Sequence, residues 1–209
     1  MIAEAIGSAA KNRRSGGETP RRPTREEIRR ASNKKVPDII APGLLVLFCG
    51  INPGLYSAAA GYHFARPGNR FWRALYESGF SEQLLEPWEG ALLLRHRIGI
   101  TNLVARATAR AEDLTPTELL HGRRLLERKA KRYAPRWIAL LGIGAYRTAF
   151  GRPRAVFGPQ TERMQAAGIW VLPNPSGLNA GYPLKELVRA FRDLREALEN
   201  TATGQPPAV

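Results

Sequence analysis

Four short apolar runs set the frame for this chain: "LLVLF" at 44–48, "GITNLV" at 99–104, "WIALLG" at 137–142 and "IWVLP" at 169–173. Each has the length of a strand, and none alternates apolar with polar residues as a strand with one wet face does. Runs of this kind belong in a sheet covered on both sides. Helical patterns separate them. "NRFWRALYESG" (69–79) ends on Gly79 as a helix stop. "TPTELLHGRRLLERKAKRYAP" opens with Thr115 as N-cap, Pro116 at the first helical position and Glu118 completing a capping box. "PLKELVRAFRDLREALEN" (183–200) puts Leu184, Leu187, Val188, Phe191, Leu194 and Leu198 on one stripe. Strands alternating with helices predict an α/β fold, a three-layer α/β/α sandwich on a mostly parallel central sheet. Ligands of such sheets gather beyond the carboxyl ends of the strands.

The charge balance narrows the partner. Lys and Arg outnumber Asp and Glu 32 to 18, a net +14, which favours a polyanion such as nucleic acid. Residues 1–37 hold ten basic and four acidic residues with little apolar periodicity until "REEIRRA", and read as a basic, mostly disordered arm. Residues 38–200 read as one folded domain and 201–209 as a flexible tail. Cys49 is the only cysteine and lies in an apolar run, so it reads as an inert core thiol. With no secretory pattern at the N-terminus, a cytoplasmic, nucleoid-associated monomer is expected.

Two stretches carry more than their local structure needs. "CGINPGLYSAAAGYHFARPGNRFW" (49–72) follows the first apolar run without a break. No Asp or Glu lies in it, so it has no strong general base of its own. Asn52 can orient a water and a ligand edge at once but cannot take a proton. Chemistry run by an amide needs a good leaving group, and backbone N–H groups around "GINPG" are suited to an anion developing there. Phe64 offers a flat face to a planar ligand. The second stretch, "VLPNPSGLN" (171–179), makes a rigid turn from Asn174 to Gly177 and holds apolar Leu178 at its tip. An apolar tip is a known means of prying a base from its stack. "LLGIGAYRTAFG" has Arg147 where a dinucleotide fingerprint needs its third glycine, and the three histidines show no metal-ligand spacing with Cys49.

"LFCGINPGL", "GNRFW", "GITNLV", "LLG" and "WVLPNPSGLN" together resemble the mismatch-specific uracil/thymine DNA glycosylases, a branch of the uracil-DNA glycosylase superfamily, from about Ile40 to about Leu198. The resemblance implies an enzyme without metal or cofactor. It flips uracil, and in some members thymine or ethenocytosine, from duplex DNA opposite guanine and hydrolyses the N-glycosidic bond. Carried onto this sequence, Asn52 positions the attacking water. Backbone at Ile51 and Phe64 binds the base edge, the Phe64 ring stacks on the base, and Gly54, Ser57 and Asn102 complete the substrate pocket. Asn174, Ser176, Gly177, Leu178 and Asn179 form the DNA wedge, with Leu178 as its plug. His63 matches a histidine of the animal branch and reads as a flanking polar residue. Asn102 stands where the bacterial branch has Lys, and Ala180 where it has Arg. No lysine is placed for a Schiff base, so no lyase step is expected. The same residues also admit a non-catalytic sensor of mismatched or single-stranded DNA, or a hydrolase of free nucleosides.

Overall fold

The structure, a computed structural model, describes residues 19–177 and 181–202, with side chains as far as residue 200. Strands β1 (Val46–Gly50), β2 (Ile98–Asn102), β3 (Trp137–Leu141), β4 (Gly158–Met164) and β5 (Ala167–Leu172) form one sheet in the order β2-β1-β3-β5-β4. All pairs are parallel except β4 with β5. Every residue of β1, β2, β3 and β5 is buried, as their uninterrupted apolar character predicts. β4 is the exception. Its sequence, "GPQTERM", alternates half-buried with exposed residues at the sheet edge, and its polarity hides it from a search for apolar runs.

The helices are α1 (Arg25–Arg29), α2 (Leu55–Ala60), α3 (Phe71–Glu77), α4 (Pro116–Tyr133), α5 (Ile143–Phe150) and α6 (Leu184–Ala202). β1 sends Val46 and Phe48 to one side, where they join Phe71 and Leu75 of α3 and Leu187 and Phe191 of α6. Leu47 and Cys49 go to the other, with Leu126 of α4 and Tyr146 of α5. That is the predicted three-layer sandwich. Phe48 stacks on Phe191 and meets Phe71 edge-on, ring centroids 5.4 and 5.5 Å apart. α4 begins as its sequence predicts, with Thr115 and Glu118 closing a capping box. Gly79 follows α3 at φ +86°, a conformation open to glycine at little cost. Cys49 is fully buried, and burial pushes its thiol up to about 12, so it stays protonated.

Regular structure is present before residue 38, where the sequence reading starts the folded domain. Thr24 and Glu27 cap α1 reciprocally, and the chain after it buries Ala31 and Val36 against Ala58 and Ala107. Asn33 N donates to Ala107 O and Ala107 N donates to Lys34 O, which straps this segment to the domain. The cause is local: two small apolar residues among many charges suffice once a cap and a backbone ladder hold them. Residues 1–18 of the expected arm lie outside the described residues. At the other end α6 continues to Ala202, two residues into the expected tail. No helix among the described residues is long and apolar enough to cross a membrane.

Candidate active site

β1 and β2 are in register so that Gly50 lies beside Asn102, and both strands end there. The next residues of β1 turn into the cleft. Asn52 Nδ2 donates to Arg106 O at 3.1 Å and to Thr108 Oγ1 at 2.6 Å. The Thr108 hydroxyl gives its own proton to Arg110 O, so toward Asn52 it can only accept. Two acceptors therefore fix which end of the Asn52 amide faces them. Its Oδ1 takes no donor among the described residues, and no buried side-chain polar atom in them lacks a partner, so this oxygen opens to solvent in the cleft. Thr108 N donates to Pro53 O, and Gly54 pairs with Thr108 in an isolated bridge, which lays "NPG" along the 106–108 segment.

That segment is itself anchored. The Arg106 guanidinium grips the Glu118 carboxylate with two nitrogens, Nη2 at 2.9 Å from Oε2. Glu118 also accepts from Thr115 N at the start of α4. The Arg106 hydrogen bond is the main cause that holds the Glu118 carboxyl down to about 2. The line from the α4 N-terminus through Arg106 to Asn52 is thus continuous.

On the facing wall, Ser57 is buried and its Oγ accepts from Ala65 N at 3.1 Å, tying α2 to the turn that carries Phe64. Phe64 has φ +53°, its N–H takes no acceptor among the described residues, and its ring stacks on Phe71 at 4.1 Å. His63, read from the sequence as a flanking polar residue, lines the cleft and is buried: it is 3% exposed, bonded to Pro37 O at 2.9 Å and 3.4 Å from Asn102 Nδ2. Burial lowers the pKa of its imidazole and favours the neutral ring. A Cβ on residue 50 would lie 2.6 Å from Asn102 Oδ1 and 3.3 Å from Phe64, so only glycine fits there.

The third wall follows β5. Asn174 Oδ1 accepts from Ser176 N, closing an Asx turn. Arg70 N and Nε donate to Pro175 O, its Nη2 to Ser176 O at 2.8 Å and its Nη1 to Tyr182 O. Arg70 thus clamps this loop from the N-terminus of α3. A Cβ on Gly177 would lie 2.6 Å from Gly68 O, so the loop rests directly on the turn before α3. Leu178 and Asn179 lie outside the described residues.

The three walls enclose about 120 Å³, into which Ile51, Asn52, Gly54, Ser57, Phe64, Asn102, Asn174 and Ser176 all reach. Gly177 lies outside this lining, at the exposed edge of the loop. No Asp or Glu lines the space, and the cations at it are Arg66 and Arg110. Among the described residues no group of His, Cys, Asp and Glu could hold a metal ion. An amide with an open acceptor, a backbone donor and a flat ring can hold a planar, polar ring and a water. Thr108 and Arg106 escaped the sequence reading because "ARATAR" has no periodicity or motif of its own.

The cleft thus lies at the strand ends of a mostly parallel sheet and is lined by amides and backbone without a carboxylate. The sequence model of the uracil DNA glycosylase superfamily matches residues 37–195, and the chain belongs to that superfamily. Its fold also matches the solution NMR structure of a candidate uracil DNA glycosylase from Methanosarcina acetivorans. The TM-score is 0.51 at 22% identity, over 78% of this chain and 98% of that one. At that identity the likeness speaks for the fold.

Proposed function

We propose that the chain is a monofunctional, mismatch-specific glycosylase that flips uracil mispaired with guanine out of duplex DNA and hydrolyses its N-glycosidic bond. The observation that carries this reading is Asn52, anchored by its NH2 on Arg106 O and Thr108 Oγ1 with its oxygen left to the cleft. Such an oxygen accepts a hydrogen from water and turns a lone pair of that water toward C1′. The bond to the base breaks through an oxocarbenium-like state, the base leaves as an anion stabilised by backbone donors such as the Phe64 N–H, and the proton shed as water adds to C1′ passes through solvent to that anion. Phe64 stacks on the base, Ile51 backbone and Asn102 meet its polar edge, and Gly54 and Ser57 shape the pocket. The loop from Asn174 to Asn179 enters the duplex, with Leu178 filling the vacated stack. Arg66 and Arg110 face the phosphates of a partner duplex. Flipping costs least for a mispaired base, which favours uracil opposite guanine over uracil opposite adenine.

The test incubates the protein with duplexes carrying uracil, thymine or ethenocytosine opposite guanine and uracil opposite adenine, then cleaves abasic sites with alkali. Uracil opposite guanine is expected to be released fastest, with no strand break before alkali. Tight binding to the mismatch without release of any base would identify a sensor instead, and release from free deoxyuridine alone a nucleoside hydrolase.

A further inference from the structure

The direction in which Asn102 faces is decided by its neighbour His63, which lines the cleft and is held from behind by Pro37 O. Pro37 O is an acceptor only, so the His63 Nε2 beside it, at 2.9 Å, carries the ring proton. The ring is buried and neutral, which leaves a lone pair on Nδ1. A lone pair can only receive, so the Asn102 group 3.4 Å away is the NH2. Asn102 Oδ1 is thereby turned the other way, toward Gly50 and Phe64, where it takes no donor among the described residues. The carbonyl that starts this chain is itself fixed. Asp38 accepts from Thr101 Oγ1 at 2.7 Å and pairs with Lys129 Nζ at 2.5 Å, while Lys129 also donates to Thr101 Oγ1. Ile39 and Ile100 exchange backbone hydrogen bonds beside them.

We infer that His63 is a specificity-determining positioning residue: held by Pro37 O, it locks the Asn102 amide with its oxygen toward the bound base, so the cleft selects a pyrimidine with an imino N–H. Uracil and thymine carry that hydrogen at N3. Cytosine presents a lone pair there and a 3-methylated uracil a methyl group, and both leave Asn102 Oδ1 opposed or unpaired. This inference rests on the glycosylase reading of the same cleft. A site built to receive one N–H rejects an analogue without it far more strongly than a merely apolar pocket does.

The experiment measures single-turnover release, at saturating protein, from duplexes with uracil or 3-methyluracil opposite guanine. The wild-type protein favours uracil by about 100-fold or more. In His63→Leu the amide is free to turn, and the ratio falls by about tenfold or more. In His63→Gln the new amide donates to Pro37 O and accepts from Asn102, and the ratio is kept. A folded His63→Leu protein with the wild-type ratio overturns the inference, as does equal wild-type release of the two bases. Should His63→Leu not fold, nitrogen NMR of the wild-type imidazole decides: a neutral ring with its proton on Nε2 supports the lock, and a proton on Nδ1 overturns it. No uracil release by the wild-type protein defeats the glycosylase reading itself, a result distinct from an unchanged ratio.

Discussion

Two of the parallel strands end in the same dipeptide, Asn52-Pro53 after β1 and Asn174-Pro175 after β5, and the two asparagines are put to opposite uses. Asn174 turns its oxygen back onto Ser176 N, two residues along its own backbone. Asn52 gives its NH2 to partners 54 and 56 residues away and keeps its oxygen for the cleft. In both, proline fixes φ and lacks an N–H, which stiffens the exit from the strand. What differs is the neighbourhood. The 106–108 segment offers two acceptors to Asn52, whereas the β5 turn is held from outside by Arg70. One amide becomes a tool and the other a hinge pin.

The sharpest break of this comparison is to remove each amide in turn. Asn52→Ala should lower single-turnover uracil release by about 100-fold or more, because a preorganised polar group is lost. Its affinity for duplex DNA should stay near wild type, since phosphate contacts carry most of that. Asn174→Ala should cost under about tenfold, as Arg70 still holds the turn. Comparable losses in the two proteins would mean that the two asparagines do the same work.

Thr108→Val tests what makes Asn52 different. It deletes one of the two acceptors and frees the amide to rotate, so release should fall by about tenfold, with binding again unchanged. The matching test on the other loop is Arg70→Met. Three partly buried carbonyls lose a charged donor, and the melting temperature should drop by about 5 °C. Uracil opposite adenine should suffer more than uracil opposite guanine, because the loop must then pry apart a stronger pair.

The smallest effect concerns the far end of the Asn52 anchor. Glu118 has its carboxyl held at about 2 against an ordinary 4.5, so its contribution to stability is complete above 4.5 and is lost as the pH falls toward 2. Acid unfolding of Glu118→Gln, followed by circular dichroism, should therefore lose less stability across that interval than wild type does.

Much of this was legible from pattern alone. The four apolar runs gave the parallel strands because burial on both faces leaves no polar alternation, and Thr115, Pro116 and Glu118 marked the start of α4 through capping chemistry. β4 was not legible, since an edge strand needs no apolar run. The candidate site was legible where it is local: "GINPG" and "NPSG" sit at strand ends, and their residues line or border one cleft. Its supports were not. Thr108, Arg106, Pro37 and the inward-facing His63 act through contacts between segments distant in sequence, which no spacing records. Arg70 belongs with them, since the three carbonyls that hold it lie more than a hundred residues further along the chain.

The most direct test of the account is a crystal structure of the protein on a duplex carrying 2′-fluorinated deoxyuridine opposite guanine, in which the electron-withdrawing fluorine disfavours the oxocarbenium-like state and slows base loss. The account predicts a flipped uracil in the cleft and an ordered water hydrogen-bonded to Asn52 Oδ1 on the C1′ face of the sugar, with Asn52 Nδ2 still on Arg106 O and Thr108 Oγ1. A uracil edge seated on Asn52 Oδ1 with no room for that water, or a uracil left stacked in the duplex, would contradict it.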